Sequence, residues 1–86
     1  MVYVDDANIL KHGHRWFHLL ADSLEVLHEF AAELGLNPRA FHRGARHPHY
    51  DVTAEVRDEA IRRGAGVVTV RDSVRIGRNT LPGKQA

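Results

Sequence analysis

Residues 6–21 read DANILKHGHRWFHLLA, and the topology of the chain turns on what this stretch becomes. It holds no acidic residue between Ala7 and Ala21, while Lys11, His12, His14, Arg15 and His18 all occur there. The stretch reads as an irregular connection between a strand and a helix. It is longer than the usual two to six residues or so of such connections, and long connections tend to carry function. Trp16 and Phe17 are placed as apolar anchors that fasten it to the body of the domain rather than as base-stacking side chains, although an exposed Trp would favour a nucleotide. His12 and His14, flanking Gly13, read as a mobile flap or as exposed side chains.

Working outward, MVYV at the start is β-branched and aromatic and predicts a short strand ending at Asp5-Asp6. After the long stretch, Asp22 is placed as a helix cap, with Glu25 three residues on as its capping-box partner. Leu24, Leu27, Ala31 and Leu34 repeat at helical spacing, and Gly35 supplies the left-handed residue that closes the helix. A second strand is predicted around AFHR (40–43) and a second long connection from Gly44 to Val52. Thr53 caps a second helix whose Val56, Ala60 and Ile61 face inward. Asp58 with Arg62 and Glu59 with Arg63 are spaced to pair on its outer face, and Gly64 ends it. GVVTV (66–70) predicts a third strand, and RDSV opens one last helical turn.

The order is β-α-β-α-β. It predicts an α/β fold, a small three-stranded, mainly parallel sheet with two helices, like half of a Rossmann unit. The strand order is left open between 2-1-3 and 1-2-3. The ordered domain is expected over residues 1–76, with a polar, flexible tail over 77–86. So small a core favours a homodimer.

Composition narrows the function classes. The chain has 86 residues, of which 43% are hydrophobic and 27% charged, and its formal net charge is +1. A domain of this size buries only about 60–65% of its unfolded surface. With no cysteine there is neither a disulfide framework nor a thiolate metal site, as suits a reducing cytoplasm. No apolar run reaches the roughly 18 residues that cross a bilayer, and no signal peptide is expected at the N-terminus. The near-neutral charge predicts no strong global attraction to nucleic acid. Seven histidines are unusual in so short a chain.

The charges are segregated. Between Leu34 and Tyr50 there is again no acid, while Arg39, His42, Arg43, Arg46, His47 and His49 occur. In an open parallel sheet both long connections meet at the carboxyl edge, where ligands bind. A basic rim there suits an anion, a small molecule or nucleic acid, set against the carboxylates Asp5, Asp6, Asp51 and Asp72. The centre of this rim is RHPHYDVTAE (46–55). Pro48 biases His47 toward extended angles, and in an extended segment residues two apart point the same way. His47 and His49 therefore address one point. A third ligand from Asp5, Asp51 or His18 would complete an open metal site for zinc, manganese or magnesium; the set His47, His49 and Asp5 is the expected one. Tyr50 is placed to orient an anion, and the helix that follows Asp51 adds backbone N–H groups. His47, His49, Tyr50, Asp51 and Asp5 are thus the catalytic candidates, with His18, His42, Arg43 and Arg46 as ligand contacts. A metal-free acid/base or anion site built from the same residues remains open. So does a purely structural role, with Asp51 as a cap. His28 is expected half-buried and hydrogen-bonded.

Two resemblances add to this. VYVDDANI resembles the opening of metal-dependent ribonucleases of the PIN and NYN type. That resemblance implies strand-end carboxylates, Asp72 among them, around a divalent ion. The wider pattern comprises VYVDD, then HLLADSLEVLHEFAAELGL (18–36), HPHYD (47–51) and a helix running into Gly64-Ala65. It resembles a small family of bacterial and phage proteins of unknown function typified by HPHYD. The resemblance implies a site at His47, His49, Tyr50 and Asp51, with Asp5, His18, Asp22 and His28 matching the family's other polar positions. It names no chemistry. Three functions follow as expectations: a hydrolase, with or without a metal, acting on a phosphate-bearing or nucleic-acid substrate; a non-catalytic anion or nucleotide binder; and a structural or interaction protein.

Overall fold

The computed structural model describes residues 1–43 and 47–80. The stretch read as a connection is a β-hairpin. Ile9–Lys11 (β2) and His14–Ala21 (β3) pair antiparallel, with Lys11 opposite His14. The two residues between them both take positive φ, 51° at His12 and 79° at Gly13. A two-residue type I′ turn needs that left-handed pair, and its twist matches the strands it joins. Gly13 adopts it at no steric cost.

The hairpin changes the topology. With Val2–Val4 (β1), Phe41–His42 (β4), His49–Thr53 (β5) and Gly66–Val67 (β6), the sheet has six strands among the described residues. Their order is β4-β5-β3-β1-β6, with β2 paired to β3. Only β1 and β6 run parallel; β1–β3, β2–β3, β3–β5 and β4–β5 are antiparallel. The expected three-stranded, mainly parallel sheet is therefore corrected to a six-stranded mixed one. The physical reason is the turn at His12-Gly13: it sends β3 back antiparallel along β1, and β5 then pairs on β3. The expected neighbours β1 and β6 do pair, whereas β4 lies at the far edge, so neither three-strand order holds.

Three α-helices accompany the sheet among the described residues: Leu24–Glu33 (α1), Ala54–Arg62 (α2) and Val70–Arg78 (α3). Ser23, not Asp22, caps α1, accepting from the Val26 N–H. Asp22 instead accepts from the Tyr3 hydroxyl at 3.1 Å. Thr53 caps α2 as expected, and Gly35 and Gly64 take φ of 77° and 106° just beyond the first two helices. The predicted strand 66–70 stops at Val67, because the Thr69 hydroxyl accepts from the Asp72 N–H and starts α3.

Strand alternation divides the sheet into two faces. Val2, Val4, Leu19, Ala21, Tyr50 and Val52 point to one face and pack on Leu27 and Ala31 of α1 and Ala60 of α2. That face is the hydrophobic core. The other carries Trp16, His18 and Leu20 of β3 beside His49 and Asp51 of β5. Helix α3 covers only part of it. The buried Ser73 reaches Asp5 from α3, and Gly77 lies directly on His47, where any Cβ would collide with the imidazole. Thr80 donates from its hydroxyl to the Ala21 carbonyl at 3.0 Å. The folded body therefore continues past the expected boundary at Ile76, while residues 81–86 of the expected tail lie outside the described residues. No helix among the described residues is long and apolar enough to cross a membrane.

Candidate functional site

The uncovered part of the second face gathers four polar side chains from three adjacent strands. His18 on β3 lies opposite Asp51 on β5, and His42 on β4 lies opposite His49 on β5. His49 and Asp51 are two apart on one strand and so share the face. The Asp51 carboxylate is the hub. Its Oδ1 is 3.3 Å from His49 Nε2 and 3.9 Å from His18 Nε2, and its Oδ2 is 3.0 Å from His42 Nε2. One ligand atom each from His18, His49 and Asp51 lies within 4.8 Å of the others.

Both imidazoles are held from behind through Nδ1. Asp5 is fully buried at the end of β1. Its Oδ1 accepts from the backbone N–H of His18 at 2.9 Å and of Ala7 at 3.2 Å. Its Oδ2 accepts from His18 Nδ1 at 2.6 Å, with the Ser73 hydroxyl at 3.4 Å. Arg57 Nε in turn donates to the Asp5 carbonyl at 2.8 Å. On the other strand, His49 Nδ1 donates to the His47 carbonyl at 2.9 Å. A carbonyl and a carboxylate only accept, so both rings carry their proton on Nδ1 when neutral and turn the Nε2 lone pair toward Asp51.

These bonds set the proton affinities. The hydrogen bond to Asp5 raises the His18 pKa above the ordinary 6.5 and outweighs the opposing effect of burial. Burial alone would raise the Asp5 pKa, but the bonds from His18 and Ala7 overcome it and hold the carboxyl below 3.8. Burial lowers His49, and burial together with neighbouring His49 and His18 lowers His47. His47 is buried under α3 with its Nδ1 unpartnered, and its ring centroid lies 5.0 Å from that of His49.

His18, His42, His49 and Asp51, all expected at the site, come together and line a cavity of about 460 Å³. Asp5 stands behind His18 and His47 behind His49. Of the expected ligand set His47, His49 and Asp5, His49 belongs to the group of meeting ligand atoms, and His18 and Asp51 take the other two places. Tyr50 is on the opposite face. Counting alternation from His49 turns it into the core, where its hydroxyl is 2.7 Å from His28 Nδ1, and burial raises its pKa. His28 itself is largely exposed. Arg43 is exposed and does not line the cavity, and Arg46 lies outside the described residues. The strand-end carboxylates do not assemble: Asp6 accepts from the Val70 N–H, and Asp72 pairs with Arg75 at 2.6 Å.

Ile9, Lys11, His12 and Trp16 complete the cavity wall. They belong to the hairpin; Lys11 and His12 are expected only as part of the basic rim and Trp16 only as an anchor, and Ile9 has no expected role. Their signal was the alternation of Trp16 and His18 against Phe17, Leu19 and Ala21, preceded by a glycine turn.

No curated protein and no solved structure matches the chain. The model of a family described as "Protein of unknown function (DUF4031)" matches residues 2–80, and the chain belongs to that family.

Proposed function

We propose that His18, His49 and Asp51 hold one divalent metal ion and that the protein hydrolyses phosphate esters with it. The observation that carries the reading is the double orientation of the imidazoles. His18 is fixed by Asp5 and His49 by the His47 carbonyl, each through Nδ1, so that both Nε2 atoms converge on one carboxylate oxygen. Histidine ligands of metals are held in this manner by a carboxylate or carbonyl on the far nitrogen. Bonds of about 2.0–2.1 Å at tetrahedral angles separate ligand atoms by about 3.3 Å, which is the distance of His49 Nε2 from Asp51 Oδ1, while His18 at 3.9 Å, in a group spanning up to 4.8 Å, would draw in on binding. Two nitrogens and one oxygen suit zinc or manganese better than magnesium, which prefers an all-oxygen shell.

Three protein ligands leave coordination positions open toward the cavity. A metal there would lower the pKa of a bound water and polarise a phosphoryl oxygen. His42 sits at the rim with a side chain 53% exposed and its Nε2 against Asp51 Oδ2. It has the freedom to turn outward and donate a proton to a departing alkoxide. Asp5 keeps His18 aimed, and His47 does the same for His49 through its carbonyl.

A metal-free reading draws on one observation, the raised proton affinity of His18. A cationic imidazole that shares its cavity with Lys11 and His12 would bind an anion without chemistry. The test is hydrolysis of p-nitrophenyl phosphate and bis-p-nitrophenyl phosphate by untagged protein with added manganese or zinc. Metal-dependent release of nitrophenolate that Asp51→Asn abolishes is the expected result. Binding of phosphate with no turnover under any metal favours the anion-binding reading.

A further inference from the structure

The cavity is longer than a metal centre requires, and its far half is chemically distinct. Side chains on this face fall into rows across the strands. His18 and Asp51 form one row. One step toward the hairpin lies the row of Thr53, Trp16 and Ile9, and a further step on lies His14 with Lys11. Each step is two residues, about 7 Å. The cavity therefore runs from an imidazole–carboxylate end, over a flat apolar floor, to a cationic end at Lys11 and His12. Trp16 is not free to swing. Its Nε1 donates to the Lys11 carbonyl at 2.9 Å, and His14 meets its ring edge-on at 5.9 Å between centroids. Ile9 beside it is 48% exposed, an apolar surface left uncovered within a site otherwise rich in polar groups.

Resting on the reading of the His18 end as a phosphoester site, we propose that Trp16 and Ile9 form the platform for a nucleobase and that Lys11 takes the next phosphate, so that the site accepts single-stranded nucleic acid. A held aromatic face stacks any base. The backbones of the two polar ends lie two row steps, about 14 Å, apart along the face, farther than neighbouring phosphates of one strand reach, and the long Lys11 side chain, which lines the same cavity as His18 and Asp51, spans the difference. A nucleoside monophosphate has one phosphate and engages one end. A 5′-phosphorylated dinucleotide has a base between two phosphates and engages both. The formal charge of +1 is no obstacle, because the cations that matter are local to the cavity.

Trp16 is the single tryptophan of the chain, so its fluorescence reports on the platform in the unaltered protein. Untagged protein is titrated, without and with manganese, with a 5′-phosphorylated adenine dinucleotide, adenosine monophosphate and ribose 5-phosphate. Both adenine ligands are expected to quench the emission saturably, and ribose 5-phosphate to leave it unchanged. In the presence of manganese the dinucleotide is expected to bind about tenfold tighter than the mononucleotide, and Lys11→Ala to erase that advantage. By calorimetry, Trp16→Ala is expected to weaken the dinucleotide about tenfold to a hundredfold and Trp16→Phe to weaken it less, with manganese uptake unchanged in both. Absence of saturable quenching, equal quenching by ribose 5-phosphate, or an advantage that survives Lys11→Ala overturns the assignment. Because quenching is also read without metal, failure of the platform is distinguishable from failure of the metal centre, which shows as absent manganese uptake.

Discussion

Strand β3 holds two different kinds of structure on one backbone. Phe17, Leu19 and Ala21 face α1 and α2, where the requirement is volume: apolar atoms removed from water and packed without gaps. Trp16, His18 and Leu20 face the other way. There His18 answers to direction, with Nδ1 toward Asp5 and Nε2 toward Asp51. A face built on volume is lost when atoms are removed. One built on directed bonds is lost when a single donor or acceptor changes, even with the shape intact. The two sides of the sheet should therefore separate stability from ligand binding.

The largest expected effect falls on the packed side. Leu19 is fully buried, and Leu19→Ala should cost about 2–5 kcal/mol, read as a large fall in the urea midpoint. Next comes Gly77→Ala, where the new methyl meets His47. Lifting α3 should cost about 1–3 kcal/mol and weaken metal uptake as well, because the His47 carbonyl that aims His49 moves with it. Asp5→Asn keeps the shape but removes the charge that His18 leans on. Metal affinity should fall about 10–100-fold, with a smaller loss of stability than Leu19→Ala. The smallest change in stability is expected for Asp51→Asn, whose side chain is 37% exposed, at about 1 kcal/mol or less, while metal uptake disappears. If Asp51→Asn unfolds the protein as Leu19→Ala does, the division between the two faces is wrong.

Acidity should act on the histidine side with a defined sign. His47 and His49 have folded pKa values below 6.5, so their contribution to stability is full above 6.5 and fades as pH falls through the folded values. His18 is the reverse: its raised pKa stabilises below 6.5 and is lost as pH rises through the folded value. Metal must displace that His18 proton. Uptake should therefore weaken as pH drops through a range above 6.5, by about tenfold per unit for one proton. Calorimetric titrations at several pH values measure that slope.

Much of the packed side was legible in the sequence. The Leu24-Leu27-Ala31 stripe, Gly35, the Thr53 cap and Gly64 each follow local rules that a single segment satisfies by itself. The hairpin was not legible, for two reasons. Its turn uses His12-Gly13 in place of the commoner Asn-Gly or Asp-Gly. The second half of β3, Leu19-Leu20-Ala21, is buried on both faces, Leu20 as fully on its side as Leu19 and Ala21 on theirs, and that double burial erases the alternation. Without the hairpin the sheet is misplaced, yet the chemistry of His18, His42, His49 and Asp51 alone groups them at one site. Their roles needed the strand register. Register turns Tyr50 away from Asp51 and sets Asp5 behind His18 instead of beside His49.

The central claim is one metal ion at three named ligands, and calorimetric titration of untagged protein with manganese and zinc near neutral pH tests it most directly. The account predicts saturation at one equivalent for the unaltered protein and no measurable uptake for Asp51→Asn or His49→Ala, with both variants folded by circular dichroism. No uptake by the unaltered protein, or uptake that survives in the folded variants, would contradict it.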